Sequence, residues 1–91
     1  MSVDVSLSEF RVDMPTKLTA GTVTFHVTNA GTITHSFEIQ GQGLTKTLAT
    51  SLNPGQSATL QVDLEPGTYQ VFCPIDGHKD QGMSATLTVG Q

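Results

Sequence analysis

The 91-residue sequence carries four basic and eight acidic side chains, a formal net charge of −4, with 36% hydrophobic and 13% charged residues. That balance is too apolar and too weakly charged for a disordered chain, and the lack of a basic stripe excludes nucleic acid and an anionic membrane surface as partners. Cys73 is the only cysteine, so no internal disulfide can form, and a domain this small is expected to draw on a metal or a partner for reinforcement.

In chain order, short apolar alternations are separated by turn clusters, the pattern of an all-β sandwich. Val3, Val5 and Leu7 alternate with polar residues, and Phe10 and Val12 resume in a different phase, which predicts a bulge or bend in a first strand. Met14-Pro15 ends it, because proline cannot donate to a ladder. Gly21–Asn29 follows with Val23, Phe25 and Val27 on one face, then a turn at Asn29-Ala30-Gly31. A third strand is expected over Ile33–Gln40, with Ile33, His35, Phe37 and Ile39 facing inward. Thr45–Leu52 reads as a weak edge strand, and Asn53-Pro54-Gly55 as a turn.

Ala58, Leu60, Val62 and Leu64 then share a face, Pro66-Gly67 turns the chain, and Tyr69, Val71 and Cys73 share the next face. Ala85, Leu87 and Val89 complete the last run. About seven strands in one domain over residues 1–91 are the expectation. His26 should face solvent, Met14 should pack, and the Tyr69 hydroxyl should anchor a corner of the sandwich. No stretch approaches the length of a membrane span, and Met1-Ser2-Val3-Asp4 is not a signal peptide.

Between the last two strands, Cys73, His78 and Met83 lie on one loop with four residues between each pair. A thiolate, an imidazole and a thioether are soft or borderline ligands that suit copper far better than magnesium or calcium. A fourth ligand must come from elsewhere, and His35, inward-facing beside Phe37 and Ile39, is the candidate. Two histidines and a cysteine with a long axial methionine form the arrangement of blue-copper electron-transfer centres. Gly77 and Gly82, each just before a ligand, let the loop fold tightly. Pro74 removes one amide donor next to the sulfur.

Here the sequence resembles the cupredoxins, of the plastocyanin, azurin and rusticyanin kind, over nearly its whole length. The resemblance is carried by Gly21-Thr22-Val23-Thr24-Phe25, by Asn29-Ala30-Gly31 leading to His35, and by Asn53-Pro54-Gly55. It continues through Pro66-Gly67-Thr68-Tyr69 leading to Phe72-Cys73, then His78 and Met83. It implies a Greek-key β-sandwich or barrel with one copper ion, alternating between Cu(I) and Cu(II), at one end. His78 would be the ligand nearest solvent and the exit for electrons. The family also implies a monomer outside the cytoplasm, periplasmic for instance, meeting redox partner proteins transiently near His78. Ligand spacing most resembles the rusticyanin-like branch, and the subfamily stays open. Ser36 follows the first histidine where many relatives place an asparagine that bonds the thiolate, which leaves the reduction potential open too.

The function expected is one-electron transfer without substrate turnover, because four protein ligands leave no open coordination position. Two readings compete with it. One is a copper-handling module that delivers or stores the metal with the same ligands. The other is a metal-free binding sandwich in which Cys73 and the histidines are incidental.

Overall fold

The computed structural model describes residues 1–9, 11–75 and 82–91. Nine strands are present among them, β1 (Ser2–Ser8), β2 (Arg11–Asp13), β3 (Lys17–Thr19), β4 (Gly21–Asn29), β5 (Glu38–Gly41), β6 (Leu44–Thr47), β7 (Ser57–Leu64), β8 (Gly67–Phe72) and β9 (Ser84–Gly90). They form a four-stranded sheet in the order β2-β1-β4-β7 and a five-stranded sheet in the order β3-β9-β8-β5-β6. No helix among the described residues is long and apolar enough to cross a membrane. The all-β sandwich expected from the sequence is the fold observed, with shorter and more numerous strands.

Alternation places the core. Val3, Val5 and Leu7 of β1 and Val23, Phe25 and Val27 of β4 are buried. From the second sheet, Ile39, Tyr69, Val71, Leu87 and Val89 join the same cluster. Successive side chains of a strand point to opposite faces, so each strand lends one face to the space between the sheets. The rings of Phe25 and Phe37 meet there, 5.5 Å apart and tilted by 48°, a geometry favoured by aromatic quadrupoles. His26 is exposed on the opposite face, as expected. Met14 packs against the core.

Three expectations are corrected. The phase change near residue 10 is not a bulge or bend within one strand: β1 and β2 are separate and pair antiparallel, Ser8 opposite Arg11. Reversal of the chain resets the alternation. Ile33–Gln40 is a strand only from Glu38. Both backbone polar groups of Ile33 are taken by side chains, its N–H donating to Glu9 Oε1 and its carbonyl accepting from Asn29 Nδ2. A residue so engaged cannot join a ladder, and Ile33 is left 41% exposed. Third, β6 spans Leu44–Thr47 rather than continuing to Leu52, although it does lie at the sheet edge. Leu48 and Leu52 turn inward beyond it. The strand β3, paired parallel with β9, had no sequence signal because three residues are too few to show a period.

Tyr69 is 1% exposed, and its hydroxyl accepts from the Glu65 N–H and donates to the Glu65 carbonyl, both at 2.9 Å. Tyr69→Phe leaves both backbone groups without that partner and should destabilise the protein by about 1–2 kcal/mol. Urea unfolding checks this: the midpoint should fall while the slope stays unchanged.

Candidate metal centre

Strand register decides which residues meet. Glu38 of β5 lies opposite Phe72 of β8, and Phe72 lies opposite Ser84 of β9. The next residues outward on the three strands are Phe37, Cys73 and Met83, so all three leave the same end of the five-stranded sheet. Two hydrogen bonds continue the pairing past the strand ends. The Ser36 N–H donates to Cys73 Sγ at 3.5 Å, and the Cys73 N–H donates to the Met83 carbonyl at 3.0 Å. His35 is tied to the same region by backbone bonds in both directions with Leu52. His35, Cys73 and Met83 are each fully buried.

The structure therefore brings three of the four expected ligand residues, or their immediate neighbours, to one end of the sandwich. His78 lies outside the described residues. Among the described residues no three His, Cys, Asp or Glu side chains form a group that could hold an ion; His35 and Cys73 are two such residues, and the Met83 thioether is of another type. The donor set fits a soft metal. A buried sulfur that accepts an amide N–H, with a buried thioether nearby, is a soft donor pair that suits copper. Gly82, immediately before Met83, adopts φ 109°, a backbone conformation that side chains disfavour.

Ser36, which stands where many relatives have an asparagine, bonds the sulfur through its backbone amide. The loop is tied instead by Asn29, which is 0% exposed. Its Nδ2 donates to the carbonyls of Ile33 and Leu52 at 2.7 and 2.9 Å, and its Oδ1 accepts from the Gly31 N–H at 2.9 Å. A residue read only as part of a turn thus joins two segments that flank His35.

Glu9 was one of several scattered acids in the sequence, and no sequence signal sets it apart. Leu7 of β1 pairs with Asn29 of β4 in a parallel register, and the Leu7 carbonyl accepts from Ala30. Two residues further, Glu9 therefore arrives beside the loop before His35. Its Oε1 accepts from the N–H groups of Thr32 at 2.6 Å and Ile33 at 3.0 Å, and lies 3.1 Å from His35 Nε2. The Thr32 amide, with lesser help from Ile33 and His35, pulls the Glu9 carboxyl from the usual 4.5 to about 2, although desolvation opposes the shift.

A family model of the cupredoxin-like domain matches residues 6–89. The chain belongs to the cupredoxin-like family. Its fold is similar to that of the sodium-dithionite-reduced auracyanin of the photosynthetic bacterium Roseiflexus castenholzii, with a TM-score of 0.78 and 20% identity. That likeness covers 99% of this cupredoxin-like chain and 97% of the other. Auracyanin A of Chloroflexus aurantiacus, described as a "blue" copper protein, superposes with a TM-score of 0.73 at 14% identity, over 99% of this chain and 98% of its own. A multicopper oxidase of Campylobacter jejuni, described as a metallo-oxidase, gives 0.75 at 14% identity; the match covers 99% of this chain but 30% of that one. No curated protein shows a significant match to the sequence.

A carboxyl whose folded value lies below its unfolded one contributes stability above about pH 4.5 and loses it as pH falls toward about 2. In the copper-free protein, Glu9→Gln should therefore lower the urea midpoint at pH 7. The gap from wild type should close as pH falls from 5 to 2, which a pH series of urea titrations measures.

Proposed function

We propose that this cupredoxin-like protein is a one-electron carrier, with a single copper ion held by His35, Cys73 and His78 and weakly by Met83. The observation that carries the reading is the contact between the two distant segments, Ser36 N–H to Cys73 Sγ, with Met83 bonded to Cys73 on the other side. When bound, copper supplies a one-electron couple, taking an electron from a reduced partner and passing it to an oxidised one with no bond made or broken in the protein.

The residues of the chain set the conditions for that exchange. Cys73 would provide the thiolate, and the Ser36 amide would withdraw charge from it. Backbone bonds at Ser36, Leu52 and Cys73 hold the donors within packed structure. Ligands so fixed move little between oxidation states, which keeps the reorganisation small and the exchange fast. Four protein donors leave no open position for a substrate, so the proposal is a carrier rather than an oxidase.

A delivery or storage module would keep its ligands accessible for exchange. The complete burial of His35, Cys73 and Met83 favours the carrier. Electrons would pass through His78 to redox proteins in a small, short-lived contact, with the protein monomeric and outside the cytoplasm. The copper-loaded protein should show an intense visible thiolate-to-copper band that Cys73→Ser abolishes. Persistence of the band in that variant would refute the ligand assignment. Slow copper loss to a competing chelator separates the carrier from the delivery module.

A further inference from the structure

We propose that Glu9 is a positioning residue for the copper centre: its carboxylate accepts a hydrogen bond from the Nε2–H of His35, directs Nδ1 toward the metal, and by its charge favours cupric over cuprous ion. This role rests on the copper reading above.

The geometry is specific. An ionised carboxylate is an acceptor only, so the 3.1 Å contact requires Nε2–H to donate to Oε1. With that proton on Nε2, ligation through His35 belongs to Nδ1. Metal-binding histidines are commonly oriented this way, by a partner on the second ring nitrogen. The imidazole is fully buried, whereas the carboxylate is 29% exposed, so Glu9 reaches inward from the rim to the back of the ring. Its orientation is fixed independently by the Thr32 and Ile33 amides, which donate to the same oxygen.

Gly31 is the second half of the device. A Cβ built there would meet the carboxylate of Glu9, so a side chain at 31 would make that group shift from its place. Holding the loop would require only an acceptor for two amides. A negative charge behind a ligand does more, because it stabilises the more highly charged ion more strongly.

Three variants test this, read by the His35 tautomer, the visible band, the potential and the cupric affinity. In the copper-free protein at pH 8, nitrogen-15 spectra of the imidazoles should show the His35 proton on Nε2. Glu9→Gln keeps an oxygen acceptor and removes the charge. It should retain that tautomer and the visible band while shifting the cupric-to-cuprous affinity ratio about tenfold, a rise in potential of about 59 mV. Glu9→Ala should lose the tautomer preference and bind cupric ion about 10–100-fold more weakly. Gly31→Ala leaves Glu9 chemically intact but displaces its carboxylate, and should behave like Glu9→Ala even if the Glu9 variants fail to fold. A wild-type potential in Glu9→Gln, or an unchanged tautomer and cupric affinity in Glu9→Ala and Gly31→Ala, would overturn the proposal and leave Glu9 a loop staple. If wild type gave no thiolate band, the copper reading would fail. The tautomer in the copper-free protein would still decide whether Glu9 orients His35.

Discussion

The register that sets Glu38 against Phe72 and Phe72 against Ser84 is the constraint on which the candidate centre depends. Because the three strands are in step, the chain leaves β5, β8 and β9 at one level, and Phe37, Cys73 and Met83 follow together. Neither Ser36 nor Met83 has to be recruited to Cys73 by a long loop. A slip of one residue in β8 would turn Cys73 to the other face of the sheet. The buried alternation of Tyr69, Val71 and Cys73 opposes such a slip, so the hydrophobic core and the site are specified by the same pattern.

A second layer of fixation operates on the loop before His35. This segment would be short of ladder partners, since it crosses from one sheet to the other. Asn29 and Glu9 provide for it, the first by three hydrogen bonds and the second by accepting from Thr32 and Ile33. These bonds give the loop partners that a ladder would otherwise supply, so the two side chains confine it. The expected strand at Ile33 gives way to them, and Ile33 itself is released to the surface. That surface lies at the same end of the sandwich as the residues proposed to bind copper.

Membership of the cupredoxin-like family and the fold shared with auracyanins agree with this arrangement. The same fold also forms part of a larger oxidase, which is why the donor set, rather than the architecture, has to carry a functional reading. Function resides in the site grafted on a fold. A buried thiol, a buried imidazole and a buried thioether, with the Ser36 amide donating to the sulfur, are suited to a metal that must change charge without its ligands rearranging.

Much was legible in the order of residues alone. Period-two alternation identified the sandwich, and the run of soft donors from Cys73 to Met83, with His35 upstream, pointed to the family that the chain belongs to and made copper the metal to propose. What the sequence could not contain was the meeting of segments distant along the chain. The parallel pairing of β1 with β4 delivers Glu9 to a loop more than twenty residues away, and Asn29 ties that loop to Leu52. Alternation reports only which face a residue occupies. Which strand lies beside which, and therefore which acid among eight stands behind His35, is settled by long-range pairing.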